Sequence, residues 1–117
     1  NLNDIVHLMG FKKNVYQLIS KYDLFVCSSE NEGFSLAVVE AMILGLPIIA
    51  TKGTGAAEII GNGEYGYLAE NSTVGIVNSV YAFISNKQFI KYHKLSEIRG
   101  ESFDMRNALT KLEEILK

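Results

Sequence analysis

The sequence predicts an α/β fold, a Rossmann-like parallel sheet with flanking helices. Short apolar runs without alternation recur up to Ala69, and segments with helical spacing or helix caps separate them. Runs of this kind are typical of strands buried on both faces, as in a parallel sheet covered by helices. The length of 117 residues fits one domain, residues 1–117, that is large enough to hold a hydrophobic core.

Four strands are predicted, each a short apolar run that ends at a glycine or in a polar loop. They cover residues 5–9, 24–27, 47–51 and 65–69. Helices are predicted between them, where apolar residues recur at helical spacing or a capping residue is present. These cover residues 14–21, 36–44 and 56–60.

Beyond residue 71 the pattern predicts helices only, so the helical part covers about residues 72–117. Its helices are predicted near residues 74–84, 89–95 and 105–116. The first of them carries apolar residues at three- and four-residue steps, which form one stripe. The stripe consists of Val74, Val77, Val80, Tyr81 and Ile84.

Alternation of strands with helices implies right-handed βαβ units, and the strands of such units are parallel. Parallel sheets bind ligands in the crevice beyond the carboxyl ends of their strands. The loops at residues 10–13, 28–35 and 52–55 each follow a predicted strand. We therefore expect these three loops on a single rim.

The helix predicted at residues 36–44 is clearly marked at both ends. Ser35 can cap its start, Gly45 suits the left-handed residue after its end, and Pro47 cannot continue it. The helix is apolar nearly all round, so we expect it to be buried, and Glu40 is its only charge. A carboxylate there costs several kcal/mol unless it is paired, hydrogen-bonded or at a ligand crevice. An internal ion pair, or a carboxylate that merely points outward at the rim, is an alternative to a ligand role.

Glu32 lies eight positions before Glu40, in the loop that leads into the same helix. Backbone N–H groups at a helix start are unpaired and, with the helix dipole, attract phosphate. Carboxylates nearby could hold the paired hydroxyls of ribose and hexose, so the combination suits a sugar diphosphate. The residues between the two glutamates that present such amides are Gly33, Phe34, Ser35 and Leu36.

The segments 29–42 and 45–51 resemble the donor-site signature of glycosyltransferase family 4, in which seven residues separate two glutamates. The similarity covers most of the chain. Residues 6–11 resemble the strand and loop that approach the nucleotide base, and residues 22–26 resemble the strand before the signature. Residues 53–58 resemble the family's glycine-containing loop ending in glutamate, although Thr54 departs from the commoner paired glycines, and residues 66–68 resemble the strand after it.

This resemblance implies the carboxyl-terminal, donor-binding domain of a GT-B enzyme, in which two Rossmann-like domains face each other. It implies that Glu32 is the catalytic glutamate contacting the donor hexose near the reacting centre, and that Glu40 holds the ribose hydroxyls. Gly10 and Phe11 would lie against the base. The amides that meet the sugar and the diphosphate would be those of Gly33, Phe34, Ser35 and Leu36.

The activity so implied is transfer of a hexosyl group from a UDP- or GDP-sugar, with retained anomeric configuration and without a metal or other cofactor. The implied acceptor is a polysaccharide, a lipopolysaccharide or a lipid-linked glycan, held by an amino-terminal domain. The family's basic clamp on the diphosphate matches no residue of this chain, and Lys12, Lys13 and Lys52 are expected to be solvated loop charges. Because the chain also lacks an initiating Met, we expect a fragment that is inactive alone.

Composition disfavours several other classes of protein. A net charge of -2 with a pI near 5.7 does not favour binding of nucleic acid, which is a polyanion. No apolar run approaches the roughly 20 residues of a membrane span. We expect a cytoplasmic protein without a transmembrane segment, and leave open peripheral association of the full enzyme with the inner face of the plasma membrane. Cys27 is expected in the core, and His7 and His93 are too isolated to predict a metal site.

Two other classes of function remain as alternatives. A doubly wound regulatory module of the receiver type needs acidic residues at the carboxyl ends of strands, whereas Asp23 stands at the start of one. A structural remnant that serves only for association would bind no ligand and form a stable dimer.

Overall fold

The sheet is parallel and three-stranded in the computed structural model, which describes residues 2–10, 15–28 and 35–103. In spatial order its strands are β1 (Phe25–Cys27), β2 (Ile48–Thr51) and β3 (Tyr67–Ala69). Val26 pairs with Ile49 across the first interface, and Ala50 pairs with Leu68 across the second. The α/β, Rossmann-like class predicted from the sequence is confirmed.

Within the same residues, α-helices and two 3-10 turns flank the strands. The α-helices are α1 (Val15–Ile19), α2 (Leu36–Ile43), α3 (Gly55–Ile59), α4 (Thr73–Ser85) and α5 (Phe89–Ser102). The 3-10 turns are Leu2–Asp4 and Gly61–Gly63. The helix predicted near residues 105–116 lies outside the described residues, so that prediction stays open.

The strand predicted at residues 5–9 is not formed, and this prediction was wrong. Residues 6–10 have no regular structure, all of them are exposed, and the side chain of Leu8 is 98% exposed. An apolar run becomes a parallel strand only where a neighbouring strand pairs with it and a helix covers it. In the described part of the chain, β1 pairs only with β2, so the sheet has three strands instead of four.

Two apolar layers cover the two faces of β2, which is buried along its whole length. Ile48 faces α2 and α3, where it joins a cluster with Val38, Met42 and Ile60. Ile49 points to the opposite face, because successive side chains of a strand alternate, and there it joins a second cluster. That cluster contains Ala69, Phe83 and Tyr92. Burial on both faces is the property that the continuous apolar run predicted.

The boundaries of α2 follow the capping residues. The Ser35 hydroxyl accepts from the Val38 N–H at its start. At its end, the N–H of Gly45 donates to Met42 O at 2.9 Å and the N–H of Leu46 donates to Ala41 O at 2.9 Å. This pair of bonds is a Schellman motif, and it requires the left-handed φ of 81° that Gly45 adopts. The chain then turns through Pro47 directly into β2.

The stripe predicted on α4 exists, but most of it faces solvent. Ser79 and Phe83 are the buried side chains of this helix, and Val80 is half-buried beside them. The remaining four members point away from the sheet, and we call them the α4 outer face: Val74, Val77, Tyr81 and Ile84. Packing on β3 is thus made by the side of the helix opposite to most of the stripe.

Helix α5 packs against α2, and a glycine lies at their point of close contact. Tyr92, Ser96 and Gly100 are buried at four-residue steps. A Cβ at Gly100 would lie 2.7 Å from Met42 O and 3.0 Å from the Ile43 Cα, so the two backbones are in close contact. The absence of a side chain at this position sets the distance between the helices.

Candidate functional site

The site predicted from the sequence lies where the strands end, a side of the sheet that we call the carboxyl edge. Four residues connect α2 to β2, so α2 runs antiparallel to the strands and begins at the carboxyl edge. Ser35, Leu36 and Glu40 therefore lie on the helix that starts at this edge. Predicted site residues outside the described part of the chain are Phe11, Glu32, Gly33 and Phe34.

Ser35 shapes the amide-bearing start of α2. Its backbone is extended, with φ of -111°, and its hydroxyl accepts from the Val38 N–H at 3.4 Å. A cap of this kind uses one of the unpaired N–H groups of a first helical turn. The N–H groups of Leu36 and Ala37 precede the capped one and point toward the carboxyl edge, which is the geometry an anion requires.

Glu40 lies on the half-buried side of α2. Its neighbours Val39 and Ala41 are fully buried, whereas Leu36, one turn earlier on the same side, is half-buried like Glu40 itself. A helical side chain leans toward the helix N-terminus, so the Glu40 carboxylate is directed toward Leu36 and the carboxyl edge. Glu40 lies five positions after the cap, about 7 Å along the helix axis.

The carboxyl of Glu40 has an unusual electrostatic environment. Desolvation by burial raises its pKa above the ordinary value of 4.5. Within the described residues, no cation or hydrogen-bond donor compensates this burial. The internal ion pair that was an alternative explanation of Glu40 is therefore not found in that part of the chain. A half-buried carboxylate with a raised pKa is a common feature of functional sites.

The loops after β2 and β3 are joined at the carboxyl edge. The Lys52 N–H donates to Ala69 O at 2.9 Å, and the Asn71 side-chain amide donates to Lys52 O at 3.3 Å. The Lys52 ammonium also forms an ion pair with Glu70. Lys52 was expected to be a solvated charge; it is half-exposed, but it is paired. The sequence analysis did not predict a role for Glu70 or Asn71, although polar residues directly after a buried strand indicate a position at the carboxyl edge.

Thr54 holds the glycine loop that follows β2. Its hydroxyl donates to Thr51 O at 2.7 Å and accepts from the Ala57 N–H at 3.1 Å, so it joins the strand end to the start of α3. Gly53, one residue earlier, has a left-handed φ of 77°, and a Cβ there would meet no atom within 4 Å. Thr54 therefore replaces one of the family's paired glycines without removing the open approach to this loop.

Gly10 is not brought to the site by a strand. It is exposed and has a left-handed φ of 64°, and a Cβ there would meet no atom within 4 Å. The contact of Gly10 with the base was implied by the resemblance of residues 6–11 to the family's strand and loop, and the strand predicted at residues 5–9 is not formed. Its position after an irregular segment does not test that contact.

Of the other sequence candidates, Cys27 and His93 have structural roles. Cys27 is buried in the core, as predicted. His93 Nδ1 lies 2.6 Å from Gly45 O and its Nε2 lies 2.7 Å from a Glu97 carboxylate oxygen, so His93 holds α5 to the end of α2. His7 is exposed. Across the described residues, no three His, Cys, Asp or Glu side chains are placed to hold a metal ion.

A cleft of about 640 Å³ opens at the opposite side of the sheet, the amino edge, where the strands begin. Asp23, Gly45 and His93 are among its lining residues. The position of Asp23 at this edge argues against a receiver-type acidic site, which requires carboxylates at the carboxyl edge. Among the residues with described structure, no helix is long and apolar enough to cross a membrane.

A parallel sheet flanked by helices, with the amides of a helix start at its carboxyl edge, defines a Rossmann-like α/β domain. Comparison with known sequences identifies the family. The model of the family described as glycosyl transferases group 1 matches residues 1–99, and the chain belongs to this family.

Named relatives are glycosyl-transferring enzymes. N-acetyl-alpha-D-glucosaminyl L-malate synthase of Bacillus anthracis is 34% identical over 89 residues, 75% of this chain and 23% of the relative. A Campylobacter jejuni protein, N-acetylgalactosamine-N,N'-diacetylbacillosaminyl-diphospho-undecaprenol 4-alpha-N-acetylgalactosaminyltransferase, is 28% identical over 107 residues, 89% of this chain and 29% of the relative. The chain thus spans about a quarter of the length of these relatives.

Solved structures with this fold include a nucleotide complex. The crystal structure of Anabaena HepE in complex with UDP matches with a TM-score of 0.77 and 28% identity, over 98% of this chain and 33% of that one. HepE in complex with UDP and glucose matches with a TM-score of 0.78 and 27% identity, over 98% and 32% of the two chains. Similarity of the fold therefore extends over nearly the whole chain.

Proposed function

We propose that this chain is the donor-binding part of a retaining glycosyltransferase that transfers a hexosyl group from a UDP- or GDP-sugar. The single observation that carries the proposal is the Glu40 carboxylate, half-buried without a partner in the described residues, on a helix that begins at the carboxyl edge. The UDP complexes of HepE support a nucleotide-sugar donor.

Each part of the donor would meet a different group. The ribose hydroxyls would donate to the Glu40 carboxylate, and the diphosphate would accept from amides at residues 33–36. Glu32 would contact the hexose near the reacting carbon, and Gly10 with Phe11 would lie against the base. Because preorganised amides stabilise the charge that develops on the departing diphosphate, the reaction needs no metal or other cofactor in this proposal.

The acceptor is proposed to be a polysaccharide, a lipopolysaccharide or a lipid-linked glycan, bound by a further domain of the longer protein. The name of the Campylobacter relative, which includes a diphospho-undecaprenol group, supports a lipid-linked acceptor. We place the enzyme in the cytoplasm, where nucleotide sugars would reach it. The 117-residue chain alone is expected to bind donor without transferring the sugar.

Calorimetric titration of the chain with UDP, GDP and UDP-glucose tests the donor site. We expect one nucleotide to bind, and Glu40→Gln to weaken its binding by about 10- to 100-fold, because hydrogen bonds to a charged group are lost. Glu101→Gln, which removes an exposed carboxylate from the last turn of α5, is the matched control and should bind as the unaltered chain does. Equal affinities for both variants, or no binding by any nucleotide, would contradict the proposal.

A further inference from the structure

The α4 outer face is an apolar surface without charge. Val74, Val77, Tyr81 and Ile84 are 69%, 60%, 74% and 55% exposed. At 100° per residue they fall within about 80° of arc, so they form one contiguous strip along the helix. Thr73, Asn78 and Ser85 lie beside this strip, and α4 has no acidic or basic residue anywhere in its length.

Packing of the fold does not explain this composition. The attachment of α4 to the sheet uses Phe83, which contacts the rings of Tyr67 and Phe89 edge-on at 6.1 Å and 4.8 Å between centroids. A helix attached in this way ordinarily presents polar and charged residues to water on its other side. Contiguous exposed apolar side chains mark interaction surfaces.

The charges that follow α4 in the sequence are all positive as far as Ser96, whereas the carboxylate of Glu70, before the helix, is paired with Lys52. From Asn71 to Ser96 the sequence has no acidic residue, and within that stretch Lys87, Lys91 and Lys94 are exposed. Lys87 directly follows the end of α4, and Lys91 lies in the first turn of α5. Lysine side chains can extend their ammonium groups to lipid headgroups while their stems stay in apolar surroundings.

We propose that the α4 outer face docks on an anionic lipid bilayer. The helix lies in the plane of the interface, with its valine and isoleucine side chains among the acyl chains and the Tyr81 hydroxyl at the level of the headgroups. Lys87, which directly follows the helix, faces the anionic headgroups, because a basic flank is attracted by a negative surface potential. This surface lies on α4, and the proposal does not depend on the donor site.

Co-sedimentation of the chain with lipid vesicles tests the proposal. We expect binding to vesicles of equimolar phosphatidylglycerol and phosphatidylcholine, and weak binding to phosphatidylcholine alone. The double substitution Val77→Ser with Ile84→Ser should weaken binding by about tenfold or more, since two large apolar side chains are lost. Lys87→Gln should weaken it by about fivefold and reduce its dependence on salt. Ile98→Ser, which alters a side chain 58% exposed on α5, is the matched control and should leave binding unchanged.

Three results would overturn the proposal. One is absence of binding to anionic vesicles, and another is equal binding by the double variant and the control. The third is a concentration-dependent dimer, seen by analytical ultracentrifugation and abolished in the double variant, which would assign the face to a second copy of the chain. Retained UDP binding by the double variant shows that it is folded and separates this result from failure of the donor site.

Discussion

At the scale of the residue, Glu40 combines a cost in stability with the ribose-binding role that we propose for it. Its neighbours Val39 and Ala41 are fully buried, and desolvation raises the pKa of its carboxyl. A raised pKa means that the folded state holds the proton more tightly than the unfolded state. The contribution of this carboxyl to the free energy of unfolding is therefore fully present below the ordinary pKa of 4.5. It is lost as the pH rises through the higher pKa of the folded state.

Glu40→Gln is therefore expected to stabilise the ligand-free chain at pH 7, by up to about 1 kcal/mol because the group is only partly buried. Urea denaturation at several pH values measures the difference. It should shrink toward zero as the pH falls below 4.5, where the unaltered carboxyl is protonated in both states. A variant that is less stable at pH 7 would show that the carboxylate has a stabilising partner.

Sequence reasoning found Glu40 because one charge in an apolar helix is visible in a single chain. It did not find the connection of Lys52 to Glu70 and Asn71, because these residues lie 18 and 19 positions apart and meet only when β2 and β3 pair. The pairing of the strands, and not any local pattern, brings them together. Contacts of this kind are the part of the site that a pattern does not predict.

At the scale of the element, α2 and α5 depend on their close approach at Gly100. Gly100→Ala should destabilise the chain by up to about 2 kcal/mol. The added methyl would meet the backbone of Met42 and Ile43, which cannot rotate away, at a cost of about 1–3 kcal/mol. A gain of about 1 kcal/mol in helix propensity offsets part of this cost. Thermal unfolding followed by circular dichroism measures the change. Glu101→Ala at the adjacent exposed position is the control, and equal stability of the two variants would contradict the account.

Elements with local signals were well predicted. Ser35 and Gly45 mark the two ends of α2, and both adopt the conformations that their residue types favour. The sequence pattern did not predict the orientation of α4, because five apolar residues on one stripe indicate a helix but do not indicate which of its sides faces the sheet. Phe83 decided that orientation by joining an aromatic cluster with β3 and α5.

At the scale of the whole molecule, Phe83 joins three elements in one core layer. It contacts Tyr67 of β3 and Tyr92 of α5 while lying on α4 itself. Phe83→Ala is expected to lower the free energy of unfolding by about 3–5 kcal/mol and to weaken the near-ultraviolet dichroism of the cluster. Tyr81→Ala, two positions earlier and exposed, should stay within about 0.5 kcal/mol of the unaltered chain. Similar losses in both variants would mean that the two sides of α4 are equally buried.

The parallel sheet itself could be predicted because β2 is buried on both faces and its sequence shows this directly. The sequence predicted a fourth strand that the structure lacks, since residues 5–9 have the composition of a strand but pair with no strand in the described chain. Strand formation is a property of the assembled sheet, whereas helix ends are a property of a few neighbouring residues.

Helix α5 is fastened to the amino edge. His93 and Gly100 meet the end of α2, and Arg99 donates from Nε to Ile59 O at the end of α3, 2.8 Å away. Both helices begin at the other edge, beside the proposed ligand. Substitutions around Ser35 and Thr54 that alter which sugar or base the proposed site accepts would therefore leave these contacts of α5 intact. The same domain could in this way acquire different specificities without losing the contacts that hold its helices together.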